Sequence, residues 1–239
     1  MRADVRHQLK EDRFRAVTAE SAHWAVEHRD KLIKAGIALL LVVGLGLGGW
    51  LYLSHRNELA GTELNKALRT YNTPLRPANS PEQPGFPSFT SIAERAKKAH
   101  GEFQAIADQY GFTKSGEFAR YFAGLTAADM GDSATAEKEL KQTADGSSND
   151  LSALAKMALA GLYRDSNRET QAIEIYKQLT DKPASTVSKQ TAQVELAGLY
   201  AAKNQPKEAQ RIYEQLQKEN PNTEFAALAS AKLQELIKK

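Results

Sequence analysis

The chain has 239 residues, and its 32 Lys and Arg residues nearly balance its 29 Asp and Glu residues, leaving a net charge of +3. This balance excludes the strong basic excess that nucleic-acid binding by counterion release requires. The lack of cysteine excludes disulfides, thiol nucleophiles and cysteine-based zinc sites. Ala, Leu, Lys, Glu and Gln dominate the second half without β-branched runs, so the soluble part is predicted to be all-helical.

Residues 1–34 form a charged amino-terminal tail in which apolar residues, Phe14 and Trp24 among them, recur at helical spacing. Two interpretations stay open for this tail. It is either an amphipathic helix that lies on the inner membrane surface or a flexible, partly helical segment in water.

Residues 35–53 read AGIALLLVVGLGLGGWLYL, which is 19 residues without a charge. As a helix this segment would be about 28 Å long, close to the hydrocarbon thickness of a bilayer. Lys34 and Arg56 border its two ends, and Trp50 and Tyr52 lie where an interfacial aromatic belt is expected. We therefore predict a single transmembrane helix over residues 35–53.

A cleaved signal peptide is the main alternative for this segment, but such peptides have a short leader and an apolar run of about 7–15 residues. Here 34 residues precede a longer run, and Tyr52 stands where cleavage needs a small residue. An uncleaved signal anchor is favoured. Basic residues are denser before the segment than after it, which places the tail in the cytoplasm. Residues 54–239 would then lie in the periplasm of a bacterium with an inner membrane.

Glycines in the apolar segment match two motifs. Gly44, Gly46 and Gly49 fit G-x-G-x-x-G, but a dinucleotide site also needs a preceding strand and a later acidic residue, so this interpretation is rejected. Gly44 and Gly48 fit G-x-x-x-G, which allows close packing of two membrane helices. We predict a membrane-helix contact at this pair, while the general frequency of glycine in such helices is the alternative explanation.

The region after the apolar segment begins with a predicted helix over residues 57–71. Five of the eight prolines then fall within residues 71–91, which excludes helix and predicts an extended loop. From Ile92 onward helical patterns continue to the end of the chain.

A repeat with a period of about 37 residues follows. LAGLY occurs at 159–163 and again at 196–200, and FAGLT occurs at 122–126. The two clearest units share the same offsets over four later positions. These are Tyr163, Ala172, Tyr176 and Leu179 in one unit, and Tyr200, Ala209, Tyr213 and Leu216 in the next.

This pattern resembles the tetratricopeptide repeat, in which stacked pairs of antiparallel helices bury faces that one pair alone cannot bury. The resemblance implies close helix approach at the alanines and tyrosines that fill the space between units. Asn167 and Asn204 fall where a turn glycine is usual, and Asn tolerates positive φ. The predicted fold class is all-α, with one transmembrane helix before a solenoid (54–239) of about 3.5 helix pairs and a carboxy-terminal capping helix. An irregular helical bundle is the alternative.

The resemblance further implies that a partner polypeptide binds a concave face formed by the first helices of the pairs. One repeat position holds Gly124, Gly161 and Gly198, although glycine within a helix costs about 0.5–1 kcal/mol relative to alanine. Either the glycines make a smooth groove, or neighbouring first helices pack tightly there. The predicted partner-binding residues are Glu117, Arg120, Gly124, Met157, Gly161, Arg164, Val194, Gly198 and Ala201.

No catalytic set is visible in the sequence. All five histidines lie outside residues 116–239, and we interpret the pairs of acidic residues as part of a solvent-exposed helix face. We expect no enzyme activity, no cofactor, no metal, no nucleic acid and no small-molecule substrate.

The layout of the whole chain resembles the YfgM family over about residues 24–239. It has a tail, a span that closes as GGWLYLSHRNELA, a proline-broken first repeat and a short solenoid. Members of that family are single-pass inner-membrane subunits ancillary to the Sec translocon. The resemblance implies a periplasmic chaperone or adaptor whose partners are translocon subunits, a periplasmic chaperone, client polypeptides and the lipid membrane. The alternatives are a cell-envelope assembly adaptor unrelated to Sec and a membrane regulator that acts through its cytoplasmic tail.

Overall fold

Helices joined by short turns account for most of the described chain. A computed structural model describes Trp24, Val26, residues 28–77, Ser80 and residues 88–237. Phe14 and most of the predicted tail lie outside these residues. The chain divides into two compact units, Met1–His55 and Arg56–Lys239, and each is described by itself. Within the described residues the regular structure is helical throughout, without a strand, which confirms the all-α prediction.

The helices follow one another with little loop between them, except after the first. Their bounds in the described residues are α1 (Arg29–Tyr71), α2 (Ile92–Tyr110), α3 (Lys114–Asp129), α4 (Ser133–Ala144), α5 (Asn149–Asp165), α6 (Glu169–Asp181), α7 (Lys189–Ala202), α8 (Pro206–Glu219) and α9 (Glu224–Ile237). From α2 to α9 each helix packs against the next, and α3 also contacts α5 while α7 contacts α9. This is the contact pattern expected of stacked helix pairs.

The part of α1 within the first unit keeps its apolar side chains on the outside. Leu40 is 72% exposed and Leu45 is 77% exposed. The helix is long enough and apolar enough to cross a bilayer, and no residue of its most apolar stretch is buried. An added Cβ at Gly44 or Gly48 would meet no atom within 4 Å, so the predicted membrane-helix contact at this pair stays a prediction.

Capping side chains fix where the helices of the second unit begin. Ser91, Thr113, Asp132, Ser148 and Ser188 each precede a helix and accept a hydrogen bond from a backbone N–H in its first turn. Such caps satisfy donors that the helix itself leaves unpaired.

Left-handed residues set the turns inside the helix pairs. Asn167 and Asn204 both have φ 57°, and Gly131 has φ 80°. The prediction that these asparagines replace the usual turn glycine is confirmed, because a short polar side chain tolerates this conformation better than most.

A continuous core joins the helix pairs from α4 to α9. Ala160, Ala172, Ala197 and Ala209 are fully buried, as the close approach of paired helices requires. The predicted tyrosines lie in this core with one exception. Tyr163, Tyr176 and Tyr213 are at most 3% exposed, whereas Tyr200 is only partly buried.

A second cluster closes the amino-terminal end of the solenoid. Ala67 of α1 packs with Phe103 of α2 and with α3. The ring of Phe103 stacks on Phe122 at a centroid distance of 5.1 Å, and Tyr71 meets both rings edge-on. The carboxy-terminal part of α1 therefore pairs with α2 as the incomplete first repeat.

The proline-rich loop follows Tyr71, where α1 ends. Residues near its two ends meet in an isolated bridge between Leu75 and Phe89, and the extended loop between them stays a prediction. Pro81, Pro84 and Pro87 lie outside the described residues.

A polar cluster ties α4 to the next helix pair. One oxygen of Glu137 accepts hydrogen bonds from Lys141 at 2.6 Å and Tyr163 at 3.0 Å, and the other accepts from Arg168 at 2.6 Å. The Arg168 guanidinium also lies 4.3 Å from the centre of the Tyr163 ring. The Lys141 hydrogen bond, followed by those of Arg168 and Tyr163, lowers the pKa of Glu137 to about 2.

We predict that Glu137→Gln lowers the free energy of unfolding by about 1–2 kcal/mol at pH 7, because three donors lose their charged acceptor. The folded-state pKa of about 2 lies below the ordinary value of 4.5, so the stabilisation is present in full above pH 4.5 and is lost as the pH falls towards 2. Urea unfolding of the full-length protein in detergent, followed by circular dichroism, should show the difference between the two proteins shrinking to about half by pH 3. An equal difference at both pH values would contradict this assignment.

Candidate protein-binding surface

The predicted partner-binding residues lie on three successive first helices, α3, α5 and α7. Within each helix they are three or four residues apart, so they share one face. An ion pair joins two of these faces, since Arg164 of α5 lies 3.3 Å from Glu195 of α7. This contact places Arg164 of α5 beside the residue that follows Val194 in α7.

The three glycines at the shared repeat position have different surroundings. Gly124 is buried, and an added Cβ would lie 2.8 Å from the Leu140 side chain of α4. At Gly161 an added Cβ would meet no atom within 4 Å, and at Gly198 only the Tyr213 hydroxyl would be met, at 3.9 Å. Packing thus explains glycine at 124, but against the second helix of its own pair rather than a neighbouring first helix. Packing does not explain the other two glycines.

The α3 part of the predicted surface is largely occupied by internal contacts. Arg120 is one-fifth exposed in its side chain and lies 3.7 Å from the buried Glu139 of α4. It also donates to the Ala107 carbonyl of α2 at 3.5 Å. Gly124 is buried and Glu117 is only partly exposed, so the predicted residues of α3 offer little open surface. The exposed remainder, called the α5–α7 surface below, consists of Met157, Gly161, Arg164, Val194, Gly198 and Ala201.

The α5–α7 surface combines apolar side chains with balanced charge. Met157, Val194 and Ala201 are partly exposed and rest on the core beneath them. Arg164 keeps 45% of its side chain exposed beside the Glu195 carboxylate. Such a surface can accept apolar side chains without selecting strongly for the charge of a ligand.

A shallow pocket of about 250 Å³ ends this surface near the capping helix. Gly198 and Ala201 form one side, and Lys232 and Leu236 of α9 form the other. Tyr213 also lines the pocket, and its hydroxyl is protonated at neutral pH as in any ordinary tyrosine, while burial raises its pKa further. The pocket therefore offers a hydrogen-bond donor for the backbone carbonyl of a ligand.

Residues 23–238 match the family model described as Tetratricopeptide repeat-like domain. The chain belongs to this family. The predicted fold class, an apolar helix followed by a tetratricopeptide-like solenoid, is thereby confirmed. Folds of this kind are scaffolds for protein–protein interaction.

Solved structures give the same fold. Two crystal structures of nearly identical tetratricopeptide-like repeats, from a Podosopora anserina protein described as a putative kinesin light chain, match with a TM-score of 0.56 and 16% identity. Each match covers 77% of this chain and 87% of the other. One of the two carries a single substitution. Comparison with curated proteins gives no significant match.

Sequence reasoning missed a groove at the incomplete first repeat. It has a volume of about 1340 Å³ and lies between the carboxy-terminal part of α1 and α2 of the tetratricopeptide-like domain. The proline-rich loop separates these two helices along the chain, so only their packing places their basic residues together. The charged residues that line it are Lys66, Arg69, Glu94, Lys97, Lys98 and Glu102.

We predict opposite effects of alanine at two equivalent glycines. Gly161→Ala should raise the free energy of unfolding by about 0.5–1 kcal/mol, since the site is open and alanine favours helix. Gly124→Ala should lower it by about 1–3 kcal/mol, because Leu140 is buried and has to move. Urea unfolding of both variants beside the parent protein measures these effects. A change of the same sign in the free energy of unfolding of both variants would show that the two sites do not differ in packing.

Proposed function

We propose that this protein is a membrane-anchored scaffold whose tetratricopeptide-like repeats bind other polypeptides on the α5–α7 surface. The observation that carries the proposal is the open space at Gly161 and Gly198. Helix packing does not require glycine at either position, although each glycine costs helix stability. The close approach of a bound polypeptide backbone would explain why both positions hold glycine.

The chemistry of the surface suits segments of unfolded or extended chain. Met157 is flexible and polarizable, so it adapts to apolar side chains of different shape. The Tyr213 hydroxyl and the Arg164–Glu195 pair provide polar groups for the ligand beside these apolar side chains. Shallow contact and balanced charge favour weak binding of many sequences over tight binding of one, as a chaperone or adaptor needs.

The proposed location is the inner membrane of a bacterium, with residues 1–34 in the cytoplasm, residues 35–53 across the membrane and residues 54–239 in the periplasm. The exposed apolar side chains of α1 support the anchor. The density of basic residues before the span supports the orientation. The proposed membrane-helix contact through Gly44 and Gly48 would let the anchor dock on another membrane protein.

The layout shared with the YfgM family supports a place at the Sec translocon. In this proposal the repeats receive newly translocated chains, or hand them to a periplasmic chaperone, and carry out no chemistry on them. A cell-envelope adaptor unrelated to Sec would capture a different set of partners. A regulator acting through its tail would lose function when residues 1–22 are removed, even with the repeats intact.

Crosslinking in cells tests the binding surface. With a photo-crosslinking residue at Arg164, we expect Gly161→Leu together with Gly198→Leu to reduce crosslinked partners roughly tenfold, because leucine side chains fill the space of an approaching backbone. Mass spectrometry of the crosslinked products from the parent protein identifies the partners, with translocon subunits or exported chains expected.

The matched control is the pair Gln171→Leu and Gln210→Leu, which places the same side chains at exposed positions on the second helices α6 and α8. It should leave crosslinking at the parent level. Undiminished crosslinking by a folded Gly161→Leu, Gly198→Leu protein would contradict the proposed surface.

A reporter fusion tests the orientation. Alkaline phosphatase joined after Lys239 should be active, since the enzyme folds only after export, whereas the same enzyme joined after Lys34 should be inactive because the tail is cytoplasmic. An inactive Lys239 fusion at full expression would overturn the periplasmic location and leave the repeat surface itself untouched.

A further inference from the structure

The turn between α2 and α3 carries an aromatic ring that the protein does not cover. Phe112 is 98% exposed, the highest value for a large apolar side chain within the described residues. Lys114 is also exposed, and Phe118 is 41% exposed four residues later on the same face of α3. We call Phe112, Lys114 and Phe118 the 112–118 patch.

The turn itself is held firmly. The Thr113 hydroxyl donates to the Tyr110 carbonyl at 2.8 Å and accepts from the Gly116 N–H at 3.0 Å. At Gly116 an added Cβ would lie 2.0 Å from the Tyr110 carbonyl oxygen, so only glycine allows α3 to approach the end of α2 this closely. Phe112 is therefore presented by a fixed backbone, and little ordering entropy opposes its insertion into another medium.

Hydrogen bonds hold the same turn against the start of the second unit. The Ser115 N–H donates to the Asn57 side chain at 3.0 Å, and its hydroxyl donates to the Asn57 carbonyl at 3.3 Å. The Arg56 guanidinium donates to the Gln109 carbonyl and lies 4.7 Å from the centre of the Tyr110 ring. The 112–118 patch thus lies beside residues 56–57.

Chain connectivity places residues 56–57 near the end of the proposed span. Asn57 follows Leu53 by four residues, and four residues reach at most about 14 Å even when fully extended. This limit holds for any arrangement of the two units. Once the span is inserted, the turn is held near the bilayer surface at which the span ends.

We propose that the 112–118 patch is a second membrane contact, in which Phe112 inserts into the interfacial layer of the bilayer. This inference rests on the proposed membrane anchor. An aromatic ring with a neighbouring exposed basic side chain, Lys114, suits the boundary between acyl chains and anionic headgroups. The contact would give the solenoid a second attachment to the bilayer besides the proposed span.

Depth-dependent quenching tests the proposal on the full-length protein. Because the chain lacks cysteine, Lys114→Cys gives one labelling site for an environment-sensitive fluorophore while Phe112 stays in place. The protein is reconstituted in phosphatidylcholine vesicles with one-third phosphatidylglycerol, with or without a lipid spin-labelled near its headgroup. We expect quenching at position 114, reduced roughly threefold when Phe112→Ser is added, since the ring supplies most of the apolar contact.

Two further labelling sites separate the possible failures. Val43→Cys lies in the apolar segment and should be quenched by lipid labelled deeper in the acyl chain, whereas Gln171→Cys on α6 should not be quenched. Quenching at position 43 without quenching at position 114 overturns the patch proposal alone. A protein partner would then be the candidate for covering Phe112. Absence of quenching at 43 overturns the anchor and the patch proposal with it. Equal quenching at position 114 with and without Phe112→Ser also overturns the patch proposal, because the ring would then contribute nothing to the membrane contact.

Discussion

The structure of the second unit depends on mutual burial between neighbouring helix pairs. Each pair has an apolar face on both sides, and neither face is covered until the next pair stacks on it. Fully buried alanines such as Ala160 and Ala197 let the helices approach, and tyrosines such as Tyr176 fill the space that this approach leaves. A helix covers each end of the stack. At one end α9 covers the last pair, and at the other the carboxy-terminal part of α1 pairs with α2.

Function in such a stack comes from positions at which the repeats differ. Gly124 serves packing, while Gly161 and Gly198 leave open surface at the same repeat position. Arg120 is held in an ion pair with the buried Glu139, while Arg164 keeps 45% of its side chain exposed. The proposed binding surface therefore lies on the later repeats. The earlier ones, through the Phe103 cluster and the Asn57 contacts, bind the carboxy-terminal part of α1, which follows the proposed span along the chain.

In the proposed function, a weakly selective surface next to a membrane gains from being held in place. A tether raises the local concentration of the binding surface around whatever passes the membrane at that point, so low affinity for each segment is sufficient. A rigid aromatic turn beside the tether would add orientation to proximity. The two proposals concern different residues, and one surface can fail without the other.

The sequence alone predicted the helical class, the 37-residue repeat, the apolar helix and the left-handed turns at Asn167 and Asn204. These features follow from local rules: periodic apolar residues, capping residues and the tolerance of Asn for positive φ each act within a few residues of the chain. The burial of the alanines and of most of the tyrosines was also predictable, because small and aromatic residues at fixed offsets in two units indicate positions that face the neighbouring helices.

Only the tertiary structure decided which of the residues at one repeat position have open space beside them. Gly124 and Gly161 look alike in sequence, but Leu140 fills the space beside one of them, and that neighbour comes from another helix. The sequence did not predict the basic groove between α1 and α2 or the exposed ring of Phe112, for the same reason. A side chain's exposure depends on atoms that arrive from distant parts of the chain, and periodicity along the sequence carries no information about where those atoms are.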